Sequence, residues 1–146
     1  MVRSNRLRVC VTDGADGACG TTVLPARDTT APTSTILGIR DGQRFRRQRA
    51  PRELRGTASA DPSGLWAVKI RLTRRHRGTC WYFSGSREQF LERTCGKQYA
   101  FKVGDRAKWS YLLPRRLPRG RYVLSTYAID NAFNRGEERR VVFRVR

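Results

Sequence analysis

The 146 residues fit one domain with an appended segment and carry a formal charge of +19, from 31 Lys+Arg against 12 Asp+Glu. No stretch is apolar for 18 residues, which argues against a membrane-spanning helix. The 38% of hydrophobic residues fall in ordered alternation, which argues against a disordered chain. Only Lys69, Lys97, Lys102 and Lys108 are lysines, so the charge is almost wholly guanidinium. GC-rich coding produces such a bias as readily as selection does. Such a charge attracts polyanions over about a Debye length, ~8 Å at physiological salt. Nucleic acid, anionic wall polymer and anionic lipid all qualify.

Residues 1–11 read as a strand, with Leu7, Val9 and Val11 on one face. Asp13-Gly14 and Asp16-Gly17 mark turns, and Thr21–Leu24 reads as the returning strand. Residues 1–27 lack the apolar core of a signal peptide. Met1 is therefore expected to be an internal start, with export directed from upstream. Residues 28–32 read as a linker, because Pro32 holds its predecessor extended.

Short strands then follow at regular spacing: Thr35–Ile39, Glu53–Ser59, Leu65–Thr73, Cys80–Phe83, Tyr99–Val103, Trp109–Leu112, Arg121–Ile129 and the alternating segment at Val141–Arg146. Gln89–Arg93 reads equally as a strand or a helical turn. The clearest period of two is Trp66, Val68, Ile70, Leu72 against Ala67, Lys69, Arg71, Thr73. With Tyr122, Leu124, Ala128, Val141, Phe143 and Val145, the first of these sets is the expected core. No segment keeps a 3.6-residue period over three turns. Such a series of strands with Gly, Pro and Asp turns predicts an antiparallel β-sandwich over 33–146, with a β-hairpin appendage before it.

The four cysteines form no zinc-finger spacing, and a lone His76 cannot complete a metal set. An even count in a small β-rich chain points to disulfides and an oxidising compartment. Of the three connectivities, local closure as Cys10–Cys19 and Cys80–Cys95 is preferred. The alternative is four reduced thiols in a cytosolic protein.

Residues 28–146 resemble the bacterial Ig-like modules, related in shape to fibronectin type III, that are strung together in exported proteins. The segments that carry the resemblance are Asp28-Thr29-Thr30-Ala31-Pro32, Leu54-Arg55-Gly56-Thr57-Ala58, Asp61-Pro62-Ser63-Gly64-Leu65, Leu117-Pro118-Arg119-Gly120-Arg121-Tyr122 and Ala128-Ile129-Asp130-Asn131-Ala132-Phe133-Asn134. The resemblance implies an immunoglobulin-like sandwich, with Tyr122 as a tyrosine corner and Trp66 as the core indole. Phe133-Asn134 departs from the usual Gly-Asn, and the Cys80–Cys95 segment is longer and more aromatic than the pattern requires.

Candidate sites are few. His76 lies in Arg74-Arg75-His76-Arg77, which reads as a solvated turn. Glu137-Glu138 and Glu88/Glu92 read as exposed faces rather than acid/base pairs, so no enzyme is expected. Asp28, Asp61, Asp130 and Asn131 are the calcium candidates. Three carboxylates fall short of the six to eight oxygens calcium takes. Turn-capping is the preferred reading, with no cofactor or metal expected. Trp81, Tyr82 and Phe83 read as core, although aromatics beside basic runs also serve single-strand binders.

The contact candidates are the basic runs: Arg44, Arg46, Arg47 and Arg49; Arg74, Arg75 and Arg77; Arg115, Arg116, Arg119 and Arg121. The reading is a non-catalytic accessory or adhesion-type module at the cell surface or outside the cell. Its partners would be neighbouring domains and anionic wall polymers. The alternative is a basic nucleic-acid-binding protein.

Overall fold

The structure, a computed structural model, describes residues 6–13, 16–23, 29–59 and 63–146, and for 6–23 only the backbone pairing. β1 (Arg6–Asp13) and β2 (Asp16–Val23) form an antiparallel hairpin that sets Cys10 opposite Cys19. The returning strand therefore begins at Asp16, five residues before the Thr21 expected from the turn residues. The side chains of Cys10 and Cys19, and with them that predicted bridge, lie outside the described residues, as do Asp28 and Asp61.

Two sheets make the body of the domain. The smaller runs β10–β5–β3, with β3 at Thr33–Leu37, β5 at Glu53–Ser59 and β10 at Lys108–Leu112. The larger is built on β6 (Leu65–His76), β11 (Gly120–Asp130) and β12 (Arg139–Val145). β7 (Thr79–Ser84) and β8 (Gln89–Glu92) extend it on one side, β4 (Gln43–Phe45) closes the other, and β9 (Phe101–Gly104) pairs with β6. The ladders are antiparallel except that β4 runs parallel to the last strand, β12.

One sheet thus joins β3, β5 and β10, and the other joins β6, β11 and β12. That split, with Tyr122 at the start of β11 donating its hydroxyl hydrogen to the carbonyl of Pro118 four residues upstream, is the immunoglobulin-like arrangement with its tyrosine corner. Burial pushes the Tyr122 phenol well above its ordinary pKa against the opposing pull of Arg74, so it remains a neutral donor. Leu124, two residues on and fully buried, stands where antibody domains carry a bridging cysteine.

The core follows the period of two. Leu54, Val68, Ile70, Leu72, Tyr122, Leu124, Ala128, Phe143 and Val145 are buried, and Val141 packs half-buried at its margin. Aromatic rings give the core a spine: Phe143 stacks on Tyr122 (5.1 Å), Tyr122 meets Phe90, and Phe90 meets Phe83.

Trp66 departs from the expected core. It is 43% exposed, and the buried indole is Trp109 on β10, at 3%. The cause is a bulge. Asp130 pairs with Leu65 and Ile129 with Ala67, so Trp66 is the extra residue and leaves the alternation. Trp109 fits because its partner across the ladder is Gly56. A Cβ there would lie 2.4 Å from the indole and 1.9 Å from the Thr35 carbonyl.

Two further readings change. Arg74, Arg75 and His76 belong to the end of β6, and the turn falls one step later, with Arg77 and Gly78 at φ 49° and 78°. Arg44, the first residue of a basic run, lies with Gln43 and Phe45 in strand β4.

Candidate anionic-ligand face

The outward face of the larger sheet carries the most unusual arrangement in the domain. Arg44 on β4 pairs in register with Arg144 on β12, Arg144 with Arg121 on β11, and Arg121 with Arg75 on β6. Four arginines therefore stand in one row across four adjacent strands, about 4.8 Å apart at the backbone. The row ends at Cys80 on β7, opposite Arg75. Like charges directly opposite in a ladder are destabilising by a few tenths to about 1 kcal/mol per pair. The ion pairs among the described residues are Arg71–Glu138, Arg135–Glu138 and Arg139–Glu137, and none touches the row. Arg44, Arg75 and Arg144 are exposed and Arg121 is half-buried.

A groove follows this row, lined also by His76, Arg77, Arg119 and Arg146. It gathers members of all three basic runs read from the sequence. The remaining candidates lie elsewhere. Arg46 and Arg49 line an adjoining groove that shares Arg44 with the row and includes Gln43, Phe45 and Arg146. Arg47, Arg115 and Arg116 border a separate cleft floored by Phe83, Phe90 and Leu113. Arg74 points to the inner side, stacks 4.3 Å over Trp81, and donates to the Arg119 carbonyl at 2.9 and 2.6 Å. Arg144 and Arg146 belong to the alternating segment Val141–Arg146, in none of the basic runs. The alternation is legible in the sequence, but the place of Arg144 in the row depends on inter-strand register.

Beside the row, Tyr82 faces outward from β7 and meets Tyr99 with ring centroids 4.4 Å apart, while Arg93 lies 5.7 Å over the Tyr82 ring. Phe83 is buried and Trp81 is half-buried under Arg74. The Cys80–Cys95 disulfide ties β7 to the segment after β8.

The carboxylate and amide read as calcium candidates are engaged with protein. Asp130 is fully buried. Its Oδ1 accepts the backbone N–H groups of Ala132 and Asn134 at 2.9 and 2.8 Å, and its Oδ2 accepts the Asn134 side chain at 3.0 Å. Asn131 donates its side-chain amide to the Ser63 carbonyl. Among the described residues no three His, Cys, Asp or Glu side chains gather as metal ligands. Nor is any helix long and apolar enough to cross a membrane. Burial, followed by the nearby Glu88 carboxylate, raises the pKa of Tyr111; its hydroxyl lies 3.4 Å from Glu88 Oε1.

No protein-family model matches the chain, and no curated protein matches it. A solved structure of murine CRIg is similar over 80% of this chain and 98% of that one, at 11% identity and a TM-score of 0.37. The immunoglobulin-like assignment rests on this domain's own strand order and tyrosine corner.

Proposed function

We propose that the chain is a non-catalytic binding module of an exported or surface protein, in bacteria, and that its arginine row holds an anionic polymer. The row Arg44–Arg144–Arg121–Arg75 carries this reading. A folded domain that keeps four guanidinium groups in opposing register, with no carboxylate partner among the described residues, retains an electrostatic cost that a bound polyanion relieves. Arginine matches phosphate and carboxylate oxygens bidentately, and successive strands repeat that donor set along a line. The disulfide fits an oxidising compartment.

The test is binding of the whole chain to inorganic polyphosphate, a glycerol-phosphate wall polymer and a neutral glycan at physiological salt. Both anionic polymers should bind and the neutral glycan should not. Failure of both anionic polymers would refute the reading.

One observation favours a second reading. The Tyr82–Tyr99 pair with Arg93 lies beside the row, and single-strand binders set aromatic platforms next to basic grooves. An oligonucleotide bound more tightly than polyphosphate of equal charge, with the difference lost in Tyr82→Ala, would select it.

A further inference from the structure

At the pole of the sandwich away from the arginine row, two aromatic rings stand in solvent. Trp66 is 43% exposed and Phe133 is 73% exposed. Their centroids are 5.6 Å apart and their planes are inclined at 63°. The Lys102 ammonium lies 5.7 Å from the Trp66 ring. Lys69 is opposite Lys102 in the ladder.

Local backbone features put both rings there. The bulge opposite Ile129/Asp130 turns Trp66 out of the core. Phe133 takes φ 63°, a left-handed conformation costly for a bulky side chain and usually left to glycine or asparagine. Hydrogen bonds hold the turn that carries Phe133. The buried Asp130 carboxylate pins the turn through Ala132 and Asn134. Asn131 ties that turn to the 63–64 loop, through its side chain to Ser63 and its N–H to Gly64. A turn held in this way lowers the entropic cost of presenting Phe133 to a ligand.

We infer that Trp66, Phe133 and Lys102 form a subsite for an acidic sugar unit, so that the anionic polymer of this module is a polysaccharide of uronate type. The inference rests on the proposed polyanion reading and specifies its ligand. The inclined rings make a corner rather than a parallel slot. A flat nucleobase stacks on one ring face and gains little from a neighbour at that angle. A pyranose is a thicker ring: its axial C–H groups rest on one aromatic face while its edge meets the other. Lys102, whose ammonium lies over the Trp66 ring at 5.7 Å from its centroid, supplies the positive charge for the sugar carboxylate. From Trp66 to Arg75 along β6 is about 30 Å at strand rise, so an oligomer of several units would span from this corner to the row.

The test measures affinity of the whole chain for a uronate oligosaccharide, inorganic polyphosphate and an oligothymidylate, in wild type, Phe133→Gly and Trp66→Ser. Phe133→Gly suits the backbone angle, so folding is retained even if Trp66→Ser proves unstable. The uronate affinity should fall roughly 2- to 10-fold in each variant, with polyphosphate affinity unchanged. Unchanged uronate affinity in Phe133→Gly would overturn the subsite and leave the polyanion reading standing. A greater loss for oligothymidylate than for uronate would assign the corner to bases, and overturn it as well. Absence of binding to all three polyanions would remove both readings.

Discussion

Arg121 stands directly opposite Arg75 in the β6–β11 ladder, with Arg144 opposite it on the other side. Arg121→Gln relieves both like-charge pairs while keeping a similar stem. It should raise stability by a few tenths to about 1 kcal/mol for each pair, about 2 kcal/mol at most, measured by urea unfolding at low salt, and the gain should shrink as salt screens the pairs. A loss of stability would mean that the arginine contributes more by packing its stem than it costs by repulsion.

Gly56→Ala should destabilise strongly. The new Cβ would meet the Thr35 carbonyl and the Trp109 indole well inside van der Waals contact, so either the β3–β5 ladder or the core ring must shift. The expected loss is about 3 kcal/mol. A thermal midpoint unchanged from wild type would contradict this packing.

Asp130→Ala leaves two backbone N–H groups of the 130–134 turn without their acceptor. A buried carboxylate accepting such bonds is worth about 2–4 kcal/mol. Calcium should not alter the stability of the wild-type chain through this residue, because its oxygens already accept protein donors. A calcium-dependent rise in melting temperature that vanishes in Asp130→Ala would contradict that.

Reducing Cys80–Cys95, at a sequence separation of 15, should cost about 3 kcal/mol by the loop-entropy account. Comparing Cys80→Ser/Cys95→Ser with wild type in guanidinium unfolding measures it. The variant should retain polyphosphate binding, since the row does not depend on the bridge. Loss of binding with an intact fold would place the disulfide inside the ligand site.

Much of the fold was legible because half-buried strands declare themselves by alternation. Val68, Ile70 and Leu72 were readable as core, and Tyr122 after a Pro-x-Gly turn was readable as a corner. Trp66 was not, because a bulge one residue long reverses the alternation and nothing local to Leu65-Trp66-Ala67 announces it. Trp109 was hidden for a related reason: its burial depends on Gly56, more than fifty residues away. The arginine row shows the same limit. Arg44, Arg75 and Arg121 lie in three separate runs, and Arg144 lies in none. Only register joins them, and register is a property of paired strands rather than of any one segment.

The central claim is that the row binds polyanions as a unit, and its most direct test is the salt dependence of polyphosphate affinity. Wild type should lose affinity log-linearly with salt as arginine contacts release counterions. On single-stranded nucleic acid the corresponding slope is roughly −0.7 per phosphate neutralised. Arg121→Gln/Arg144→Gln should make the slope shallower by about two contacts and weaken binding at every salt concentration, while Arg46→Gln/Arg49→Gln, off the row, should change it less. An equal slope in the row variant and wild type, or a larger effect from the off-row pair, would contradict the account.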